Sequence, residues 1–184
     1  MELVEKALIA HGKGDHLLAA KIAAAAKDAA PRSGRIRELL GLSHYQAGHY
    51  REAIPELNAF KRMTGSLEQN HVVADCYRAI GRPEKALELC GQVKRRDVPP
   101  EIWTETLLVA AGTLADEGHI EKALAYLRRG DTEVRSVQPH HLRLWYLEAD
   151  LLEKSGQPDT AKVVWERIFA SDPTFFDVAE RVAR

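Results

Sequence analysis

Eight histidines, two cysteines and one glycine-lysine loop are the parts of this sequence that could do chemistry, as metal ligands, nucleophiles or phosphate-binding groups. His140 and His141 are adjacent, so on a helix their side chains point about 100° apart and do not easily share a metal ion. The segment GKGD at positions 12–15 lacks the remaining residues of a phosphate-binding loop, and no predicted strand precedes it. The sequence contains neither a G-x-S-x-G nor an H-E-x-x-H motif. We therefore predict no catalytic site, no metal site and no cofactor, and we expect that the chain is not an enzyme.

Both cysteines, Cys76 and Cys90, fall inside predicted helices and form no C-x-x-C pair. Each is expected to be a small buried hydrophobic residue, which fits a reducing cytoplasm. The first six residues lack the basic start and long apolar run of a secretory signal. The longest apolar run, Ile22 to Ala26, is far below the roughly 20 residues of a membrane helix. We therefore predict a cytoplasmic location and no membrane contact.

Composition and charge also restrict the partners. Hydrophobic residues make up 45% and charged residues 29% of the chain, which is typical of a soluble folded domain. The formal net charge is −1, whereas nucleic-acid-binding domains usually carry a strong basic excess. Nucleic acid is therefore an unlikely partner for the chain as a whole, although a local basic patch stays possible.

A repeat of 33 to 38 residues runs through the chain. It is marked by a glycine, by an alanine five residues after that glycine, and by a small residue seven residues before it. The glycines are Gly14, Gly48, Gly81, Gly118 and Gly156, the alanines are Ala19, Ala53, Ala86, Ala123 and Ala161, and the small residues are Ala7, Gly41, Ala74, Ala111 and Ala149.

Steric contact explains this triple pattern. Two antiparallel helices approach closely only where neither carries a bulky side chain, so the two small residues mark the contact point. The glycine between them supplies the turn, because it adopts positive φ without a steric penalty. Each triple therefore predicts one helix–turn–helix hairpin.

The chain resembles tetratricopeptide repeat (TPR) proteins, whose unit is a helix–turn–helix of 34 residues. The second unit matches best, and its matching residues are Leu40, Gly41, Gly48, Tyr50, Ala53, Leu57 and Phe60. The stretch 74–89 is also similar to functionally uncharacterised bacterial TPR proteins. The chain departs from the pattern at Glu148, where leucine is usual, and at Gly130, where a bulky apolar residue is usual. The resemblance covers almost the whole chain and implies an all-α, right-handed superhelical solenoid of about five repeats plus a C-terminal capping helix.

The expected domain organisation follows from these units. We predict one domain over residues 1–184, with repeats at about 1–32, 33–65, 66–98, 99–136 and 137–173 and a cap at 174–184. Asp15 is the predicted N-cap of the second helix, and capping boxes are predicted to start helices at Ser66 and Thr174. Pro55 falls within the predicted fourth helix, where it either kinks the helix or lies near the first turn.

The resemblance also implies a binding surface, since the first helix of each TPR unit lines a concave groove that holds an extended or helical peptide. We predict a protein or peptide partner of unknown identity, and a scaffold that brings proteins together. The TPR domains that grip chaperone tails use lysines and asparagines there, whereas Glu38, His71 and Leu108 occupy comparable places here, so that partner is rejected. The candidate groove residues are Arg35, Glu38, Leu42, Tyr45, His71, Asp75, Arg78, Arg143, Tyr146 and Asp150.

Three alternatives stay open at this point. Charged pairs such as Asp75 and Arg78 could merely solvate an exposed face. Basic residues end the second helices and would form one edge in a stack, namely Lys27, Lys61-Arg62, Lys94-Arg95-Arg96 and Arg128-Arg129. That edge could bind anions or nucleic acid as an adaptor, or the cations could simply stabilise helix C-termini. Finally, Phe176 could support self-association, so a homodimer is possible.

Overall fold

The computed structural model describes residues 2–131 and 134–183, and all regular structure in them is helical. This confirms the predicted all-α fold class. None of the helices in these residues is long and apolar enough to cross a lipid bilayer. The helices are α1 (Glu2–Gly12), α2 (His16–Ala29), α3 (Gly34–Gln46), α4 (Tyr50–Thr64), α5 (Asn70–Ala79), α6 (Pro83–Gly91), α7 (Pro100–Asp116), α8 (Ile120–Leu127), α9 (Pro139–Lys154), α10 (Pro158–Ser171) and α11 (Val178–Val182).

Helix packing divides the chain into two compact units, Met1–Val93 and Lys94–Arg184. In the first unit, α1 to α6 contact in sequence, and α3 also contacts both α1 and α5. In the second unit, α7 to α11 contact in sequence, and α7 also contacts α9. Within each unit the first helices therefore lie side by side, as expected of stacked hairpins. The prediction of a single domain stays a prediction.

The small-residue pattern is confirmed at every hairpin. All five predicted turn glycines have φ between 73° and 79°, in the left-handed region that glycine adopts without strain. The nine alanines of the pattern are completely buried, with 0% exposure, and Gly41 is buried as well. A Cβ atom added to Gly41 would lie 2.6 Å from Cδ2 of Leu57 on α4. The two helices of each hairpin therefore pack most closely at the positions where the sequence places small residues.

Alanines rather than leucines form the core of the first hairpin. Ala7, Ala20 and Ala23 are buried there and cluster with Leu39 and Leu40 of α3. Val4 and Ile22 pack partly buried against this cluster, whereas the exposed larger apolar side chains of α1 and α2 include Leu3, Leu8, Ile9, Leu17 and Leu18. This hairpin thus buries little hydrocarbon for its length.

A buried carboxylate joins the three central helices of the first unit. Glu56 of α4 accepts a hydrogen bond from Lys27 Nζ of α2 at 2.9 Å and one from Arg37 Nη1 of α3 at 2.6 Å. Burial raises the pKa of Glu56, but the hydrogen bonds from Arg37 and Lys27 outweigh it, and the pKa lies below its ordinary value. Glu56 is therefore held as an anion between two cations.

Gly130 departs from the repeat pattern for a steric reason. A Cβ atom at this position would lie 2.7 Å from Leu144 Cδ2 and 3.1 Å from Leu107 Cδ1. Two buried leucines thus already lie beside Gly130, and any larger residue would require them to move.

Two predicted helix starts are wrong. α5 begins at Asn70 rather than directly after Ser66, whose hydroxyl accepts a hydrogen bond from Glu68 N at 3.2 Å in a preceding turn. α11 begins at Val178, and Thr174 N instead donates to Asp172 Oδ1 at 2.9 Å. In both places a short-range side chain–backbone bond forms a turn in competition with the helix cap.

The other predicted features of the helices fit the structure more closely. The Asp15 carboxylate accepts a hydrogen bond from Leu18 N at 3.1 Å, which confirms it as an N-cap. Pro55 is the sixth residue of α4, so it lies beyond the first turn and removes the hydrogen bond that its position would donate to the Arg51 carbonyl.

Candidate functional site

In the first unit, the candidate groove residues lie on the neighbouring helices α3 and α5. α3 carries Arg35, Glu38, Leu42 and Tyr45, and α5 carries His71, Asp75 and Arg78. We call these seven residues the α3–α5 face. Because α3 and α5 contact each other, residues about 30 positions apart in the sequence become neighbours. Apart from Arg35, which is exposed, these residues are partly buried.

Hydrogen bonds connect the two helices across this face. Tyr45 donates its hydroxyl hydrogen to Asp75 Oδ2 at 2.7 Å, and Arg78 Nη1 donates to Asp75 Oδ1 at 2.9 Å. Gln69 Nε2, just before α5, donates to Glu38 Oε1 at 2.9 Å. Both Asp75 oxygens are thereby occupied, so the face is a fixed polar array rather than a set of free side chains.

Tyr45 is the anchor of this array. Burial raises the pKa of its phenol well above the ordinary value, and the hydrogen bond to the Asp75 carboxylate raises it further. The phenol therefore keeps its proton and remains a donor at physiological pH. The ring also lies near Tyr50 of α4, with 6.0 Å between the ring centroids.

The second unit has a corresponding set of pairs between α7, α9 and α11. Arg143 Nη1 of α9 lies 2.6 Å from Glu105 Oε1 of α7. The Tyr146 hydroxyl of α9 donates to Asp177 Oδ1 at 2.6 Å, and Asp150 pairs with Lys154 at 2.6 Å. The predicted residues Arg143, Tyr146 and Asp150 thus lie on one first helix, and each has a partner within the chain.

Arg181 of α11 ties the last helix to α9. Its Nε donates to Asp177 Oδ2 at 2.9 Å and its Nη1 to Glu153 Oε2 at 2.7 Å, and the guanidinium lies 5.1 Å from the Trp165 ring centroid. The hydrogen bonds from Tyr146 and then Arg181 hold the pKa of Asp177 below its ordinary value. Asp177 and Arg181 therefore both form hydrogen bonds with side chains of α9.

An aromatic cluster precedes α11. Phe176 has a positive φ of 46° and is 73% exposed. Its ring centroid lies 4.5 Å from that of Phe175 and 5.2 Å from that of Tyr146. This left-handed residue lies directly before Asp177 and α11.

Comparison with known proteins identifies the fold. No family model matches the sequence, and no curated protein matches it. Among solved structures, the chain is similar to TTC0263, a thermophilic TPR protein of Thermus thermophilus, with a TM-score of 0.74 and 18% identity over 99% of this chain and 96% of that one. The chain has the tetratricopeptide-repeat fold.

Two further solved structures are similar to the chain. PilW, a widely conserved type IV pilus biogenesis factor, gives a TM-score of 0.77 at 14% identity over 98% of this chain and 84% of that chain. YrrB, described as a TPR protein with an unusual peptide-binding site, gives a TM-score of 0.62 at 13% identity over 100% of this chain and 92% of that chain. At these identities the likeness establishes the fold and does not transfer a partner.

Within the TPR fold, α3, α5, α7 and α9 are first helices, so all ten candidate residues lie on first helices. Their role as a partner-binding groove stays a prediction. The sequence did not predict that Gln69, Asp177 and Arg181 bind to or beside these residues. One signal was available: Glu38 and Gln69 are 31 positions apart, as are Tyr146 and Asp177, and Tyr45 and Asp75 are 30 apart. Polar residues at slightly less than one repeat length therefore mark contacts between successive first helices.

Part of the predicted basic edge is engaged by other residues of the same unit. Lys27 pairs with Glu56, as described above. In the second unit Arg95 Nη2 donates to Asp131 Oδ1 at 2.6 Å, and Arg129 lies over the ring of Tyr126, 4.7 Å from its centroid. These cations thus serve contacts inside the protein. In the first unit, Lys61 donates to the neutral Gln92 side chain, and neither Lys61 nor Arg62 forms an ion pair within the residues that the structure describes.

The cysteines and histidines form no metal centre in the described chain. Cys76 and Cys90 are free thiols and buried, as predicted, and burial raises the pKa of both to about 12. No group of three or more His, Cys, Asp or Glu residues in 2–131 and 134–183 is placed to hold a metal ion.

Proposed function

We propose that the chain is a non-enzymatic scaffold that binds a protein or peptide partner on its first helices, with the α3–α5 face as one contact surface. The observation that carries this proposal is the array formed by Tyr45, Asp75 and Arg78, together with the bond between Gln69 and Glu38. Side chains held in place before binding lose little conformational entropy when a partner arrives, so such an array favours recognition.

The chemistry of the face indicates what kind of partner segment it accepts. Arg35 and Arg78 offer cationic donors, Glu38 offers a carboxylate, and Leu42 and Tyr45 add apolar surface. An extended segment that carries both charges and at least one apolar side chain fits this mixture. Tyrosine and arginine are enriched among the residues that dominate binding energy, which favours Tyr45 and Arg78 as the main contacts.

The fold supports the same proposal in general terms. YrrB, which shares the fold, is described as having a peptide-binding site. Peptide binding by this chain would likewise need no catalytic group. We further propose a cytoplasmic location, which fits the two free thiols.

Charge reversal on the first helices tests the proposal. The purified full chain is immobilised, and proteins from a lysate of the source organism are captured on wild type and on an Arg35→Glu/Arg143→Glu variant. The matched control is Arg51→Glu/Lys162→Glu, which makes the same charge change at exposed positions on the second helices α4 and α10. A partner of the first helices should be lost from the first variant, by about ten-fold or more, and kept by the control.

Cross-linking then locates the contact. A photoreactive phenylalanine at Leu42 should form a covalent product with the captured protein, whereas the same residue at Arg51 should not. Circular dichroism checks that each variant is folded. Equal capture by both double variants, or cross-linking from Arg51 alone, contradicts the proposed surface.

A further inference from the structure

A pocket of about 520 Å³ lies in the first unit between α4, α5 and α6, on a different set of residues from the α3–α5 face. Its lining includes the cationic side chains Lys61, Arg62 and Lys85, and the apolar surfaces of Tyr77 and Leu89. The volume falls in the range of about 300–1,000 Å³ that is typical of small-molecule sites.

Positive charge in this pocket exceeds the negative charge beside it. Lys61 Nζ donates to the neutral Gln92 Oε1 at 2.8 Å, and Lys85 Nζ donates to both oxygens of Glu88 at 2.8 Å. Arg62 forms no ion pair in the described part of the chain. Three cations against one carboxylate leave an excess of two positive charges around the cavity.

The surroundings of Lys61 are electropositive. Burial lowers the pKa of Lys61, and the neighbouring Lys85 ammonium lowers it further, while Glu88 opposes this effect. The charged form of Lys61 is thus disfavoured by its surroundings, and an anionic group in the pocket would relieve the repulsion between the two ammonium groups.

In the preceding repeat, the lysine at the position equivalent to Lys61 is neutralised by a carboxylate of the chain itself. Lys27 and Lys61 both follow their turn glycine by 13 residues. Glu56, eight residues after the next turn glycine, neutralises Lys27 at 2.9 Å. The corresponding residue for Lys61 is Leu89, again eight residues after a turn glycine, and it lines the pocket. The carboxylate of Glu56 is therefore replaced by the apolar side chain of Leu89 in the next repeat.

We propose that this pocket binds a phosphomonoester that carries a small apolar body. A phosphomonoester carries up to two negative charges near neutral pH, which matches the excess charge of the pocket. Its oxygens accept hydrogen bonds from Lys61, Lys85 and Arg62, and its apolar part packs against Tyr77 and Leu89.

Three probes separate charge from shape, with binding to the full-length protein measured by isothermal titration calorimetry at pH 7.5 and low salt. Phenyl phosphate is expected to bind, inorganic phosphate to bind more weakly because it lacks the apolar part, and phenyl sulfate to bind more weakly because it carries one charge. Absence of binding by phenyl phosphate at millimolar concentration, or equal affinity for phenyl sulfate, overturns the proposal. A phosphotyrosine peptide serves as a fourth probe: affinity above that of phenyl phosphate assigns the group to a protein source, and affinity below it assigns a free metabolite.

Variants place the site. Lys61→Gln and Lys85→Gln should each weaken phenyl phosphate binding by about ten-fold or more, since each removes a charge-assisted hydrogen bond. The control Lys162→Gln makes the same charge change at an exposed position on α10 and should change affinity less than two-fold. Leu89→Glu should also abolish binding, because it restores the carboxylate of the preceding repeat while every cation stays in place. Equal affinities for the Lys61→Gln and Lys162→Gln proteins, both folded by circular dichroism, refute the assignment.

Discussion

Replacing Gly41 with alanine should destabilise the protein, although alanine is the better helix former. The added Cβ would lie 2.6 Å from both Cγ and Cδ2 of Leu57 and 3.3 Å from its backbone nitrogen. Leu57 is 1% exposed, so it has little room to move. Overpacking of this kind costs about 1–3 kcal/mol, and we expect the upper part of that range. The helix propensity gain of about 1 kcal/mol offsets part of it, which leaves a net loss of about 1–2 kcal/mol in the free energy of unfolding.

Urea unfolding followed by circular dichroism measures this loss, and Gly91→Ala is the matched control. Gly91 also lies in a helix, but a Cβ there meets no heavy atom within 4 Å, so the control should be neutral or slightly stabilising. In the double variant Gly41→Ala/Leu57→Ala, the steric cost should disappear, and the combined loss should be smaller than the sum of the single losses. The reasoning fails if Gly41→Ala and Gly91→Ala change stability equally, or if the two losses simply add.

Two further predictions concern charges that join helices. Glu56→Gln should lower the free energy of unfolding by about 2–3 kcal/mol at neutral pH, because it leaves two partly buried cations unpaired. Since the folded-state pKa of Glu56 is lowered, its contribution is complete above the unfolded value of about 4.5 and is lost as pH falls below it. Denaturant unfolding across pH should therefore show the wild-type and variant stabilities converging in acid, and a gap that is independent of pH would argue against this role. Arg181→Gln should lower the free energy of unfolding by about 1–3 kcal/mol in the same assay, because it removes the bonds to Asp177 and Glu153. The control Glu180→Gln, at an exposed position on the same helix, should change it by no more than about 0.5 kcal/mol. Similar losses for both variants would show that the Arg181 contacts do not stabilise the protein.

The hairpins could be predicted from the sequence because their closure depends on short-range sterics. A glycine such as Gly48 fixes the turn, and small residues such as Gly41 and Ala53 fix the contact, so fixed spacings in the chain are sufficient. The starts of α5 and α11 could not be predicted in the same way. Ser66 and Thr174 are good cap residues by type, but a nearby turn offered their hydrogen-bonding groups another partner.

For the candidate site, the sequence predicted which residues lie on first helices but not which side chains they contact. Helical spacing places Tyr45 and Tyr146 on first helices, but it does not say which side chain of the neighbouring repeat meets each hydroxyl. The backbone at Phe176, beside Asp177, is left-handed, and nothing in a phenylalanine predicts that conformation. Long-range pairing of this kind therefore follows only from the three-dimensional structure.

The alanine core of the first hairpin should make this hairpin the first part of its unit to unfold locally. In an array where each repeat is stabilised chiefly by its neighbours, the repeat with the least buried hydrocarbon detaches first. Ala7, Ala20 and Ala23 provide far fewer carbon atoms than the leucines that hold α3 against α4. Backbone amides of α1 and α2 should accordingly exchange with deuterated solvent well before those of α3 and α4, so that fraying of this unit begins at its amino-terminal hairpin.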